Sequence, residues 1–182
     1  MDDVQQDRSD QELLSAYARG DQSALAALYH RHKLFCYRIA ARHASDDSLA
    51  IDLVQDAFIY LTQNARKITL KGKLTTLLYP VILNSVRARI RKNLGLKFGE
   101  QPETAEPDLL IRPAATMDPA LGAAIQGLSQ QFQEVLLMRI VDEMSVQEVS
   151  QALAIPEGTV KSRLHTALAA LRDNPHISHL MN

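Results

Sequence analysis

Tryptophan is absent from this chain of 182 residues, and aromatic side chains of every kind make up only 5% of it. Aliphatic residues must therefore supply most of any core. There is one cysteine, Cys36, so no disulfide can form within the chain, which suits a reducing compartment. Cys36 stands in the apolar stripe of a helix and reads as a small core residue. Long apolar runs are missing too. None approaches the ~20 residues needed to cross a bilayer, and the polar, acidic stretch from Met1 to Asp10 lacks the marks of a signal peptide. The expectation is a cytoplasmic protein with no membrane insertion. Charge of one sign is not in excess: the formal net charge is -1, so any nucleic-acid surface must come from local clustering. There is no Gly-rich phosphate loop, no Cys/His metal spacing and no nucleophile elbow, so neither an enzyme nor a cofactor is expected. His30 and His32 are two apart and do not share a helix face. His176 and His179 fall in the C-terminal tail.

What the chain does have is helical periodicity. Leu13, Leu14 and Tyr17 mark a first helix with Asp10 as its cap, and Asp21 or Ser23 caps a second, long one. In that helix Leu25, Leu28, Tyr29, His32, Phe35, Cys36 and Ile39 recur every three or four residues. Ser45-Asp46-Asp47 caps a third helix, with Leu49, Leu53, Val54, Ala57, Phe58 and Leu61 inward. Residues 64–73 read as a loop. The pattern from Leu74 to Leu94 is helical, beginning apolar and ending basic with Arg87, Arg89, Arg91 and Lys92. Pro80 lies inside it and should kink it unless it falls in the first turn. Pro102, Pro107, Pro113 and Pro119 then interrupt regularity, with a short helical touch at Leu109 to Ile111. No period-two strand pattern occurs. The fold class is all-α: two small helical domains at 1–97 and 120–174, joined by a linker at 98–119 and followed by a tail at 175–182.

The second domain carries the most informative pattern. Phe132, Val135, Leu136, Met138 and Ile140 mark one helix. Ser145 followed by Glu148 makes a capping box before a short helix with Val149 and Leu153 inward. Residues 155–158 read as a turn, Thr159 as the next cap, and Val160, Leu164, Ala167, Leu168 and Leu171 as the buried stripe of a last helix. Two short helices across a tight turn are the layout of a DNA-binding helix-turn-helix. Its second helix would present Lys161, Ser162, Arg163, His165 and Thr166, donors and small polar groups with no acid among them, to base edges and phosphates.

The string from Ile155 through Thr159-Val160-Lys161-Ser162-Arg163-Leu164 to His165 closely resembles the region-four recognition motif of extracytoplasmic-function sigma factors. The resemblance implies a winged-helix-like module that binds an upstream promoter element. Lys161, Ser162, His165 and Thr166, with Thr159 beside them, would then face DNA, and Arg163 would meet backbone or polymerase. Two positions depart from the family pattern: Ala154 stands where Gly is usual, and Thr166 often corresponds to Arg.

Upstream, Asp52-Leu53-Val54-Gln55-Asp56-Ala57-Phe58 resembles the family's polymerase-binding helix in region two. That implies Asp52, Gln55 and Asp56 as the groups meeting the β′ clamp helices of core RNA polymerase, with the β flap as a further contact. The family follows this helix with a loop and a helix that capture bases of the minus-ten element. Here Asn84 would hydrogen-bond an unstacked base, and Arg87 and Arg91 would follow a strand backbone with no intervening acids. Tyr79 reads as core. Leu74 and Leu77 stand where the family commonly has Phe and Trp. The resemblance thus implies a transcription initiation factor, monomeric when free, with promoter DNA, polymerase and an anti-sigma protein as partners. The other open reading is a helix-turn-helix regulator with a sigma-like fold that does not open promoters.

Overall fold

The computed structural model describes residues 7–93 and 117–175. The expected linker up to residue 116, its helical touch at Leu109 to Ile111, Leu94 and the tail from His176 lie outside the described residues. The chain divides into two compact units, Met1–Gly95 and Leu96–Asn182, and no strand occurs among the described residues.

The first unit is built from α1 (Asp10–Ala18), α2 (Gln22–His43), α3 (Asp47–Asn64) and α4 (Leu74–Asn93). Each of the first three begins with a side-chain cap. Ser9, not Asp10, caps α1: its hydroxyl accepts from the Glu12 amide at 3.3 Å, and Glu12 accepts from the Ser9 amide at 2.7 Å. A cap needs extended backbone ahead of the first turn, and Ser9 has it, whereas Asp10 is already helical. The Asp10 carboxylate turns instead to α2, accepting from Arg31 at 2.7 Å and lying 2.9 Å from His32 Nε2. The α1–α2 turn passes through Gly20 at φ 105, a conformation open to glycine. Asp21 caps α2 through the Ser23 amide, and Asp46 caps α3 through the Leu49 amide.

Helix α2 runs through the middle and packs on α1, α3 and α4. Leu13, Leu14, Leu28, Ile39, Leu53, Leu61, Leu74, Leu78, Ile82 and Leu83 are almost completely buried, each contributing about 1.5–3 kcal/mol of transfer free energy. Tyr79 is 1% exposed and is a core residue, as its place in the pattern indicated. Cys36 is fully enclosed, and burial pushes its thiol pKa up to about 12. The loop after α3 is pinned to α1 where Gln11 accepts from the Leu70 amide at 2.7 Å. Pro80 lies beyond the first turn of α4 and leaves the carbonyl of Thr76 without its usual amide donor, yet α4 continues to Asn93.

The second unit contains α5 (Pro119–Gln126), α6 (Gln130–Ile140), α7 (Val146–Leu153) and α8 (Glu157–Arg172). Pro119, assigned to the linker by sequence, is the first residue of α5. It needs no amide there, and Asp118 caps the helix by accepting from Ala120 and Leu121. Helix α5 ends at Gly127, which has an ordinary right-handed backbone. The Gln133 side chain then donates to the carbonyls of Gln126 at 3.1 Å and Leu128 at 2.6 Å, stapling the α5–α6 turn. Ala124, Ile125, Leu136, Ala167 and Leu171 form one cluster of the core, flanked by Phe132, Leu164 and Leu168, and Val135, Met138, Val149 and Val160 are fully buried as well. Ile140, read as inward-facing, is 59% exposed at the last position of α6.

Candidate nucleic-acid interface

The helix-turn-helix is α7 and α8. Ser145 and Glu148 form the expected capping box, with bonds of 3.1 and 2.7 Å, fixing the start of α7. Between the helices, Ala154 takes φ 53 and ψ 41, the left-handed conformation that glycine adopts most easily. Ser150 Oγ donates to the Ile155 carbonyl at 2.5 Å and closes this turn from within α7. Helix α8 begins earlier than the sequence indicated: Pro156 is its N-cap, Glu157 and Gly158 are helical, and Thr159 sits in the first turn. Thr159 is therefore not the cap. The fixed φ of Pro156 suits entry into a helix, and it has no amide N–H that must find an acceptor.

Val160, Ala167 and Leu171 anchor α8 in its unit. At about 100° per residue, that leaves Lys161, Ser162, His165 and Thr166 together on the outer face, and all four are exposed. Thr159 and Arg163 are half-buried at the edges of that face. Ser162 donates to the Thr159 carbonyl at 3.0 Å, so its oxygen remains as an acceptor. The exposed Gln147 and Gln151, four apart on α7, add donors that the motif did not single out.

In the first unit, Asp52 and Gln55 are exposed on α3 and Asp56 is half-buried. The structure brings to them a residue that sequence placed elsewhere. Arg89 of α4 donates to Asp56 at 2.7 Å and stands 3.7 Å from Asp52. The basic run of α4 is thus not free of acids: carboxylates 33 and 37 residues away in sequence face it. Arg87 and Arg91, each two residues from Arg89 in sequence, are half-buried. Between α3 and α4 lies an open groove of about 420 Å³ lined by Asp56, Tyr60, Leu77, Pro80, Val81 and Asn84. Asn84 is exposed at its edge, and Tyr60 brings an aromatic face. Tyr60 was missed, although it continues the row of Asp52 and Asp56 by one more helical turn. The described residues contain no His/Cys/Asp/Glu group able to hold a metal ion, and no helix among them is long and apolar enough to cross a membrane.

Comparison with known proteins places both units. Residues 28–94 match the sigma-70 region 2 model, and residues 119–171 match that of sigma-70 region 4. The chain is 31% identical over 167 residues to the ECF RNA polymerase sigma factor SigL of Mycobacterium tuberculosis, covering 87% of this chain and 93% of that protein. It is 27% identical over 168 residues to the ECF RNA polymerase sigma factor SigW of Bacillus subtilis, covering 85% and 90%. Among solved structures, CnrH in complex with the cytosolic domain of CnrY has a TM-score of 0.66 over 96% of this chain and 97% of its own. The sigma factor RpoE in complex with the anti-sigma factor NepR from Bartonella quintana has a TM-score of 0.58 over 80% and 94%. Both are 19% identical to this chain and show the fold.

Proposed function

The chain belongs to the ECF RNA polymerase sigma factors and directs RNA polymerase to promoters; from that premise we propose how its residues divide the task. Asp52, Gln55 and Asp56 dock on the β′ clamp helices of core polymerase. Lys161, Ser162, His165 and Thr166 enter the major groove of the upstream element, with Thr159 and Arg163 at the backbone and the second unit against the β flap. Near minus ten, the groove beside Asn84 receives an unstacked base, Tyr60 supplies an aromatic wall, and Arg87 and Arg91 follow the strand. The protein works in the cytoplasm, catalyses no reaction of its own, is a monomer when free, and is held inactive there by an anti-sigma protein.

The observation that carries this reading is the outer face of α8: four exposed donor or small polar side chains, no acid among them, behind a tight left-handed turn. Matches to sigma-70 regions 2 and 4 and to ECF sigma factors disfavour the alternative, a helix-turn-helix regulator with a sigma-like fold that does not open promoters. Binding of the purified chain to sigma-free core polymerase, without DNA, is the test. Wild-type protein should bind saturably and compete with another sigma factor. Asp52→Lys with Asp56→Lys should lose that binding while keeping its helical spectrum. Unchanged affinity in the folded variant removes the docking assignment.

A further inference from the structure

We propose that Arg89 couples the two surfaces of the first unit: Asp52 and Asp56 hold it in the free protein, and it passes to a phosphate of single-stranded DNA when a basic partner takes those carboxylates. The inference rests on the reading of Asp52 and Asp56 as polymerase-docking acids. Arg89 bridges them, at 2.7 Å from Asp56 and 3.7 Å from Asp52. It also sits in the cationic stretch of α4, five residues beyond Asn84. The groove reaches along α4 from Leu77 to Ala88 and includes Asp56 in its wall. The side chains are 35% exposed for Arg89, 38% for Asp56 and 52% for Asp52. Ion pairs that open to solvent are weak and exchange readily. Positive charge brought to the carboxylates loosens their hold on Arg89 and frees it for a phosphate. By thermodynamic reciprocity, a bound strand that occupies Arg89 leaves the acids more available to the partner.

The test is binding of a fluorescent single-stranded oligothymidylate to the full chain between about 50 and 200 mM salt. Asp52→Asn with Asp56→Asn should bind more tightly than wild type. Its plot of log affinity against log salt should steepen by about 0.7, the increment for one more phosphate neutralised on a single strand. Arg89→Gln should cost little in the wild-type background, and should abolish the gain and the steepening in the double variant. Equal cost of Arg89→Gln in both backgrounds, or no gain in the double variant, overturns the proposal. If the double variant loses its thermal transition, Asp56→Asn alone removes the 2.7 Å contact and is read by the same two criteria. Polymerase affinity of the same proteins tests the docking reading separately. If it is unaffected, docking falls, while the oligonucleotide cycle still decides whether Arg89 is restrained.

Discussion

His32 Nε2 lies 2.9 Å from Asp10 Oδ2, and this contact joins the first helix to the second. Burial alone would raise the Asp10 carboxyl, but hydrogen bonds and charge from His32 and Arg31 outweigh it and hold the pKa below its ordinary range. A depressed carboxylate contributes stability that is fully present above its unfolded value near ~4 and is lost as pH falls through the folded value. Asp10→Asn should therefore cost about 1–2 kcal/mol at pH 7. The difference from wild type should shrink below about pH 4. Urea unfolding at both pH values checks this; an equal difference at each would refute the electrostatic account.

Ala154 holds a left-handed backbone at φ 53 without being glycine. Ala154→Gly should relieve that strain and stabilise the second unit by about 1 kcal/mol, raising its melting temperature by about 4–8 °C. Ala154→Val should lower it. Calorimetry on the full chain reads both, and a Gly variant that melts lower would show that chain entropy outweighs the strain.

Lys161 is exposed on the outer face of α8 and anchored by its neighbour Val160, which is fully buried. Lys161→Ala should weaken occupancy of the upstream element by about 1–3 kcal/mol if it reads a base. Footprinting with holoenzyme measures it, and occupancy indifferent to the change would remove α8 as the recognition helix. The melting temperature should not move, since the side chain is exposed.

Cys36 is sealed in the first unit with its thiol pKa raised to about 12, so almost no thiolate exists near neutral pH. Disulfide reagents at pH 8 should modify the folded protein only as fast as it opens, and the unfolded protein at once. Rapid labelling of the native state would contradict the burial.

Most helices were legible because their apolar spacing and caps are local. Ser145 and Glu148 were read correctly as a capping box. Ser9 and Glu12 have the same spacing and form the same box, but the adjacent Asp10 is an equally good cap by residue type and masks it in the sequence. Arg89 is different in kind. Nothing near it in sequence indicates Asp56, 33 residues away, because the pairing exists only once α3 and α4 lie side by side. Tyr60 and the groove with Asn84 arise from the same adjacency. Thr159 was misplaced as a cap because Pro156 begins α8 without a side-chain hydrogen bond, leaving no polar residue to mark the boundary.

The turn between α5 and α6 is specified from outside itself. Gly127 has φ -71, and a Cβ there would meet nothing closer than the Ala124 carbonyl at 3.4 Å, so glycine is not what shapes the bend. The Gln133 amide does so, by serving the carbonyls on either side of it. The connection should accordingly tolerate substitution within its own residues, Gly127→Ala included. Its course depends on one amide a full turn into the following helix, which makes Gln133 the position where a single change would alter how α5 is oriented on α6.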